Sequence, residues 1–209
     1  MQYGNSLDAY ADIMTTKNAG DYPCSWLFGD TRTNEIMRCE LGLKIMSVKR
    51  TKNGLFHGMN SAMDHQLRTK ETNDKGHNDI HTSQGARNKR LKALLYKKYY
   101  GKINCAVAKT ILRDHYDMST KTFHPSNLTV CNHSYESDPI YRPHAAQDGK
   151  VVDTALARQM SFWGIFGSSC GKAFSVKKYI QSNPTNQDWE PYLANYPKSN
   201  WEVIRGINS

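Results

Sequence analysis

A run of short β-type segments separated by turn signals constrains the fold of this chain more than any other feature of its sequence. Residues 24–59 contain four such segments, which read CSWLFG, EIMRCEL, LKIMSV and LFHGMN. The dipeptide Asn53-Gly54 precedes the fourth segment and is the strongest hairpin signal in the chain, because a two-residue type I′ turn needs two residues with positive φ. The pattern predicts a four-stranded antiparallel meander, one face of which must be covered by another layer.

Helical periodicity flanks this meander. A short helix is predicted over 6–16, with Ser6 as its N-cap. Two longer amphipathic helices are predicted over 84–99 and 106–116, the second capped by Asn104. The polar residues between the meander and these helices predict a long loop.

Further elements are predicted towards the end of the chain. Strands are expected over 128–133, 149–153 and 160–166, with a charged loop after the first of them and a short helix near 176–181. Strands, then a helix pair, then strands predict an α+β fold. A length of 209 residues suits a single domain over 1–209.

The chain is basic, with 28 Lys and Arg against 19 Asp and Glu and a formal net charge of +9. Anionic partners are therefore compatible with its charge. The segment RNKRLKALLYKKYYGK distributes its cations around one amphipathic helix without a recognition module, which favours a solvated helix face over nucleic-acid binding.

Neither a membrane span nor a signal peptide is predicted. The longest uncharged apolar run, at 161–171, is far shorter than the about 20 residues that cross a bilayer. The first residues lack the basic start and the apolar core of a signal peptide, so the compartment stays open.

The cysteines and histidines show no metal-binding spacing. No CxxC, HxH or HExxH occurs, so the sequence predicts no metal site and no cofactor. His133, two residues from Cys131 on a predicted strand, is interpreted as a surface imidazole beside a packed thiol, and His115 as a core histidine. The five cysteines, interpreted as reduced and mostly buried, are Cys24, Cys39, Cys105, Cys131 and Cys170.

Three polar residues are candidates for a site. Arg87 projects between Leu91 and Leu94 on the predicted helix, on the face that should meet the sheet, and Arg90 lies at the edge of that face. A guanidinium directed at a core either braces the fold or lines a pocket for an anion. Asn60 follows the fourth predicted strand, where its amide could donate to an oxyanion or simply form a turn.

Several blocks of sequence, in this order, resemble the C-terminal part of the phospholipase B-like proteins, relatives of the penicillin acyltransferase and choloylglycine hydrolase group of N-terminal-nucleophile hydrolases. The blocks cover almost the whole chain, and their order carries the resemblance. They are NAGDYPCSWLFGDTRTNEIMRCELGLK, GMN at 58–60, SQGARNKRLKALL, INCAVAKTILRDHYD, TVCNH and DGKVVDTALARQMSFWGIFGSSCGKAF.

The resemblance implies an αββα sandwich that hydrolyses amide or ester bonds of acylated substrates or lipids. An N-terminal cysteine freed by autocatalytic cleavage attacks, and its own α-amino group acts as the base. By the same resemblance, Asn60 lies at the oxyanion or acyl-binding site, Arg87 is the pocket arginine, and Arg90 is the second choice for that role.

The chain departs from the family at the nucleophile. That cysteine and the strands around it precede the matched region, and Cys24 would become N-terminal only after cleavage at Pro23. We therefore expect the nucleophile on a complementing segment or subunit, and poor solubility or oligomerisation of this chain alone because part of its sheet lacks a cover. The alternative is a non-catalytic scaffold that binds polyanions or partner proteins through its basic surface.

Overall fold

The computed structural model describes residues 3–20, 24–133 and 148–206. Contacts within the chain group it into two compact units, residues 1–77 and 78–209, and each is described by itself. The boundaries of a single domain over 1–209 stay a prediction. Most of the charged loop predicted after residue 133 lies outside the described residues.

The first unit begins with the predicted helix. Helix α1 spans Leu7–Thr15, and the Ser6 hydroxyl accepts a hydrogen bond of 3.1 Å from the Ala9 amide. This is the N-cap that the sequence predicts, and it supplies a partner for one of the amides left over at a helix start.

A three-stranded antiparallel sheet follows, built from β1 (Cys24–Asp30), β2 (Glu35–Leu41) and β3 (Met46–Thr51). β2 is the central strand, with Trp26 opposite Cys39 and Cys39 opposite Val48. Three of the four predicted strands are therefore confirmed.

The fourth predicted strand is wrong, because residues 55–60 form no strand. The Asn53 amide donates to the Thr51 hydroxyl, which in turn bonds the Asn53 carbonyl oxygen at 2.9 Å. Asn53 is also absent from the residues with positive φ, so the turn is not type I′. A local side-chain bond closes this turn, and no hairpin partner follows it.

Helix α1 covers one face of the sheet and forms the core of the first unit. Leu7 and Ala11 of α1 pack against Met37, Cys39 and Leu41 of β2, all of them buried. A second short helix, α2 (His65–Lys70), completes the unit. It lies within the predicted long loop, so that prediction is wrong for these residues; the Asp64 side chain caps the helix.

The second unit opens with the two predicted amphipathic helices. Helix α3 spans Ser83–Lys92 and continues as a π-helical segment over Ala93–Lys98, and helix α4 spans Cys105–Leu112. The Asn104 side chain accepts from the Val107 amide at 3.0 Å, as its predicted capping role requires.

Two small antiparallel sheets follow α4. Strands β4 (Tyr116–Asp117) and β5 (Thr122–Phe123) pair with each other, and the third sheet has the strand order β6-β7-β8. The remaining elements are β6 (Gly149–Val151), α5 (Thr154–Arg158), β7 (Ser161–Ile165), α6 (Val176–Ser182), a 3₁₀ segment (Pro184–Tyr192) and β8 (Glu202–Arg205).

The strand predicted over 128–133 is wrong: these residues form turns. The buried Thr129 hydroxyl lies 2.9 Å from the Ser126 carbonyl oxygen and 2.7 Å from that of Cys131. These local bonds curl the segment, although its composition suits a strand.

The described residues therefore form a mixed α/β structure with small antiparallel sheets, which is compatible with the predicted α+β class. Among the helices of the described ranges, none has the length and apolar character needed to cross a bilayer.

Met37 provides a test of the first core, because its side chain is 0% exposed at the centre of β2. We expect Met37→Ala to lower the free energy of unfolding by about 2–5 kcal/mol, through lost burial and the cavity left behind. Met46→Ala on β3, where the side chain is 46% exposed, is the matched control and should cost less than about 1 kcal/mol. Urea denaturation measures both, and equal costs would contradict this assignment of the core.

Candidate functional site

A cavity of about 420 Å³ lies in the first unit, where the start of β1 pairs with the end of β2, and Asn60 is one of its lining residues. We call it the Asn60 cavity. Its polar lining comes from Ser25, Glu40, Asn60, Ser61, Thr72 and Asp74, and its apolar lining includes Leu27, Leu41, Met59 and Leu67.

The buried carboxylate of Glu40 fixes the loop beside this cavity. Only 1% of Glu40 is exposed. It accepts hydrogen bonds from the Ser25 hydroxyl and the Met63 amide, each at 2.7 Å, and from the Asp64 amide at 2.8 Å. Its remaining neighbour is Arg38, whose Nε lies 3.2 Å away as an ion pair without the alignment of a hydrogen bond. Because a buried carboxylate needs such partners, β2 and the loop are held together.

Asn60 itself adopts a left-handed backbone, with φ of 34°. This conformation favours glycine and asparagine, and it agrees with the turn-forming alternative that the sequence left open. The residue is also exposed and lines the cavity, so its amide is accessible from solvent. The backbone role and a role in binding are compatible.

Ser61 contacts both a histidine and an aspartate, but the hydrogen bonds among these three side chains do not suit a serine nucleophile. Its hydroxyl oxygen lies 2.7 Å from His77 Nδ1 and also bonds Asp74 Oδ2. A hydroxyl has one hydrogen, so if it donates to the carboxylate, the His77 Nδ1–H must donate to the hydroxyl. His77 is then no base towards Ser61, and the three groups order the loop.

The two predicted arginines lie in the second unit. Arg87 is buried, and its Nε donates to the Ser83 carbonyl oxygen of its own helix at 2.9 Å. Arg90 donates to both carboxylate oxygens of Asp114, at 2.8 and 2.7 Å, and its guanidinium lies 4.4 Å from the centre of the Tyr116 ring. These contacts favour the bracing alternative for Arg90.

Arg90 also lines a second cavity, of about 490 Å³, whereas Arg87 lines neither cavity. Asp114, which Arg90 holds, accepts the Cys131 amide at its carbonyl oxygen at 3.0 Å. The arginine thus supports the segment that carries His115 and, through it, the turn of Cys131.

Two histidines and two cysteines of the second unit converge, which the spacing of the sequence does not reveal. Each offers one ligand atom, and all four atoms lie within 4.8 Å of one another. His133 is 0% exposed and Cys131 is 2% exposed. We call this set the Cys–His cluster: His115, Cys131, His133 and Cys170.

His133 lies at the centre of the cluster. Its Nε2 is 3.1 Å from His115 Nε2 and 3.4 Å from each of the sulfur atoms of Cys131 and Cys170. The interpretation of His133 as a surface imidazole is therefore wrong. On a strand, side chains two residues apart would stand about 6.6 Å apart, but the turn at 128–133 brings them together.

The two thiols have opposite pKa shifts. The pKa of Cys170 is held well below its usual range, chiefly because the Cys131 thiol donates a hydrogen bond to it. Burial opposes this effect, and hydrogen bonds from His115 and His133 add to it. The same bond to Cys170, together with burial, raises the pKa of Cys131. Of the two thiols, Cys170 is therefore the more acidic.

Comparison of the chain with protein-family models, curated proteins and solved structures finds no match. The resemblance to phospholipase B-like proteins therefore stays a prediction from the order of its sequence blocks.

Asp64 provides a pH-dependent test of the loop that Glu40 holds. Its carboxylate caps α2, accepting from the Gln66 amide at 2.9 Å and the Leu67 amide at 3.1 Å, and it accepts from the Ser47 hydroxyl at 3.0 Å. The Leu67 bond is the main reason that the pKa of Asp64 lies below its usual value; burial opposes it, and the other two bonds add to it.

We expect Asp64→Ala to lower the free energy of unfolding by about 1–2 kcal/mol at neutral pH. A lowered folded-state pKa means that this stabilisation is complete above the unfolded-state pKa and is lost as the pH falls through the folded-state value. The difference in free energy of unfolding between wild type and Asp64→Ala should thus decrease as the pH falls from about 5 to about 2. Asp64→Asn, which keeps a capping oxygen, is the control; a gap that does not change with pH would contradict the role of the charge.

Arg90 is tested by the loss of its two parallel hydrogen bonds. Arg90→Lys keeps the charge but not the fork geometry, so we expect it to destabilise the second unit by about 1–3 kcal/mol in urea denaturation. Arg113→Lys, at an exposed neighbouring position, should change stability by less than about 0.5 kcal/mol. An Arg90→Lys protein as stable as wild type would remove the bracing role.

Proposed function

We propose that this chain is the acyl-binding portion of a phospholipase B-like hydrolase, with the αββα architecture of that group, acting on amide or ester bonds of acylated substrates. The observation that carries the proposal is the mixed lining of the Asn60 cavity. Leucines at 27, 41 and 67 contribute apolar surface beside the polar groups of Ser25 and Asn60. A pocket with this division suits an acyl chain that ends in a carbonyl group.

In this proposal the Asn60 amide donates a hydrogen bond to the carbonyl oxygen as negative charge develops on it. A donor fixed in advance gains most in the transition state, because it need not reorganise as the charge forms. The Glu40 carboxylate supports this geometry by holding the neighbouring backbone at residues 63 and 64.

The nucleophile in this proposal is an N-terminal cysteine on a complementing segment or subunit. Its thiol attacks the carbonyl carbon, and the α-amino group takes the thiol proton and passes it to the leaving amine or alcohol. Water then cleaves the thioester, releasing the fatty acid and restoring the thiol. Arg87 and Arg90 remain proposed substrate-binding residues of the second unit, and Arg90 also donates two hydrogen bonds to the Asp114 carboxylate.

Binding can be tested on this chain alone. Octanamide, a neutral acyl amide, should bind the Asn60 cavity, and Asn60→Gly should weaken binding about fivefold, the value of one hydrogen bond. Glycine keeps the left-handed backbone, so the change removes the amide without straining the turn. Asn34→Gly is the matched control, since Asn34 is an exposed residue with φ of 55° in the β1–β2 turn. Isothermal titration calorimetry measures the affinities.

Turnover is tested after adding the segment that bears the N-terminal cysteine. With lysophospholipids and N-acyl amino acids as substrates, Asn60→Gly should lower kcat by about 10²–10³-fold, as loss of an oxyanion donor does. Cys24→Ala removes a thiol from the lining of the cavity and should retain turnover, because the nucleophile lies on the added segment. Equal turnover by wild type and Asn60→Gly would retire the oxyanion role. Salt-dependent binding to heparin with no turnover would instead favour the polyanion-binding scaffold.

A further inference from the structure

The distances within the Cys–His cluster match tetrahedral metal coordination. Zinc binds sulfur at about 2.3 Å and imidazole nitrogen at about 2.0–2.1 Å, so in a tetrahedron two nitrogens stand about 3.3 Å apart and a nitrogen and a sulfur about 3.5 Å apart. The cluster has 3.1 Å between its nitrogens and 3.4 Å from His133 Nε2 to each sulfur. All pairs fall within 4.8 Å, so each distance needs an adjustment of about 1.3 Å at most to complete the geometry.

The donor atoms also suit a metal. The Nε2 atoms of His115 and His133 face each other, and two neutral imidazoles in this arrangement have at most one hydrogen between them. A cation between them accepts a lone pair from each ring. The pair of sulfur atoms, from Cys131 and Cys170, completes a donor set that is typical of zinc.

The surrounding backbone holds the ligands before any metal binds. The His133 amide donates to the Ser126 carbonyl oxygen at 2.9 Å, and the His124 amide donates to the His115 carbonyl oxygen at 3.0 Å. Around Cys170, the Ser168 hydroxyl lies 3.3 Å from the sulfur and accepts the Lys172 amide at 3.1 Å. These contacts are the kind of outer support that orients ligands in metal sites.

We propose that His115, Cys131, His133 and Cys170 bind one zinc ion. Four protein ligands fill a tetrahedral site, which leaves no position for substrate, so the ion is structural. The ion links three segments: the one after α4, the turn at 128–133 and the turn after β7. Two of its ligands, His133 and Cys170, are 37 residues apart in sequence. Zinc coordination thereby stabilises a part of the second unit that is built mainly from turns.

The test measures metal in the tag-free full chain, purified from zinc-supplemented cells. Inductively coupled plasma mass spectrometry should find about one zinc ion per chain. Cys170→Ser and His115→Gln should bind zinc at least about 100-fold more weakly, since each removes one of four ligands. Cys105→Ser and His81→Gln, the latter at an exposed position, are the matched controls outside the cluster, and both should keep the full zinc content.

A graded variant separates ligand support from folding. Ser168→Ala keeps all four ligands but removes the hydroxyl beside the Cys170 sulfur, and we expect zinc affinity to fall about tenfold. Titration of the zinc-free wild-type chain with Co²⁺ needs no variant: tetrahedral coordination by two thiolates gives intense visible bands and a near-ultraviolet sulfur-to-cobalt band.

Three results would overturn the proposal. The first is a chain that lacks stoichiometric zinc and shows no thiolate–cobalt band. The second is equal zinc content in Cys170→Ser and Cys105→Ser. The third is a Cys131–Cys170 disulfide, found by mass spectrometry after alkylation in the absence of reductant. None of these results affects the octanamide experiment, so the zinc proposal can be disproved without disproving the hydrolase proposal, and the reverse.

Discussion

The carboxylate of Glu40 lies in the central strand of the first sheet, almost fully removed from solvent, and accepts hydrogen bonds from a serine hydroxyl and two loop amides. The cost of burying this charge is offset only when those partners are in place. The position of the loop, the wall of the Asn60 cavity and the cap of α2 at Asp64 therefore depend on one side chain. Helix α1 packs against the opposite face of the sheet, and this apolar packing stabilises the strand that carries Glu40.

The second unit meets the same constraint with a different set of groups. It buries Asp117, Thr129 and His133, each with 2% exposure or less. Hydrogen bonds satisfy the first two, and the Cys–His cluster surrounds the third. A zinc ion in that cluster would bind all four of its donor atoms at once, in a region where short strands contribute few ladder hydrogen bonds. The proposed hydrolase function places its chemistry in the first unit, and the proposed zinc ion stabilises the second.

Local signals in the sequence predict local structure well in this chain. Ser6 and Asn104 cap the helices that they were expected to cap, because the capping bond spans only three residues. The strand after Asn53-Gly54 fails for a related reason: Thr51 forms a side-chain bond two residues away that competes with the hairpin. Arg87 is buried, in agreement with its predicted position towards the core.

The sequence by itself determined the mixed α/β composition, the N-caps of α1 and α4, three strands of the first sheet and the basic net charge, since each depends on neighbouring residues or on composition. Only the tertiary structure decided which polar groups meet. His115 and Cys170 come from segments far apart along the chain, and the turn at 128–133 depends on where the Thr129 hydroxyl finds its acceptors. These contacts between distant residues result from the packing of whole segments, and the spacing of residues along the sequence does not predict them.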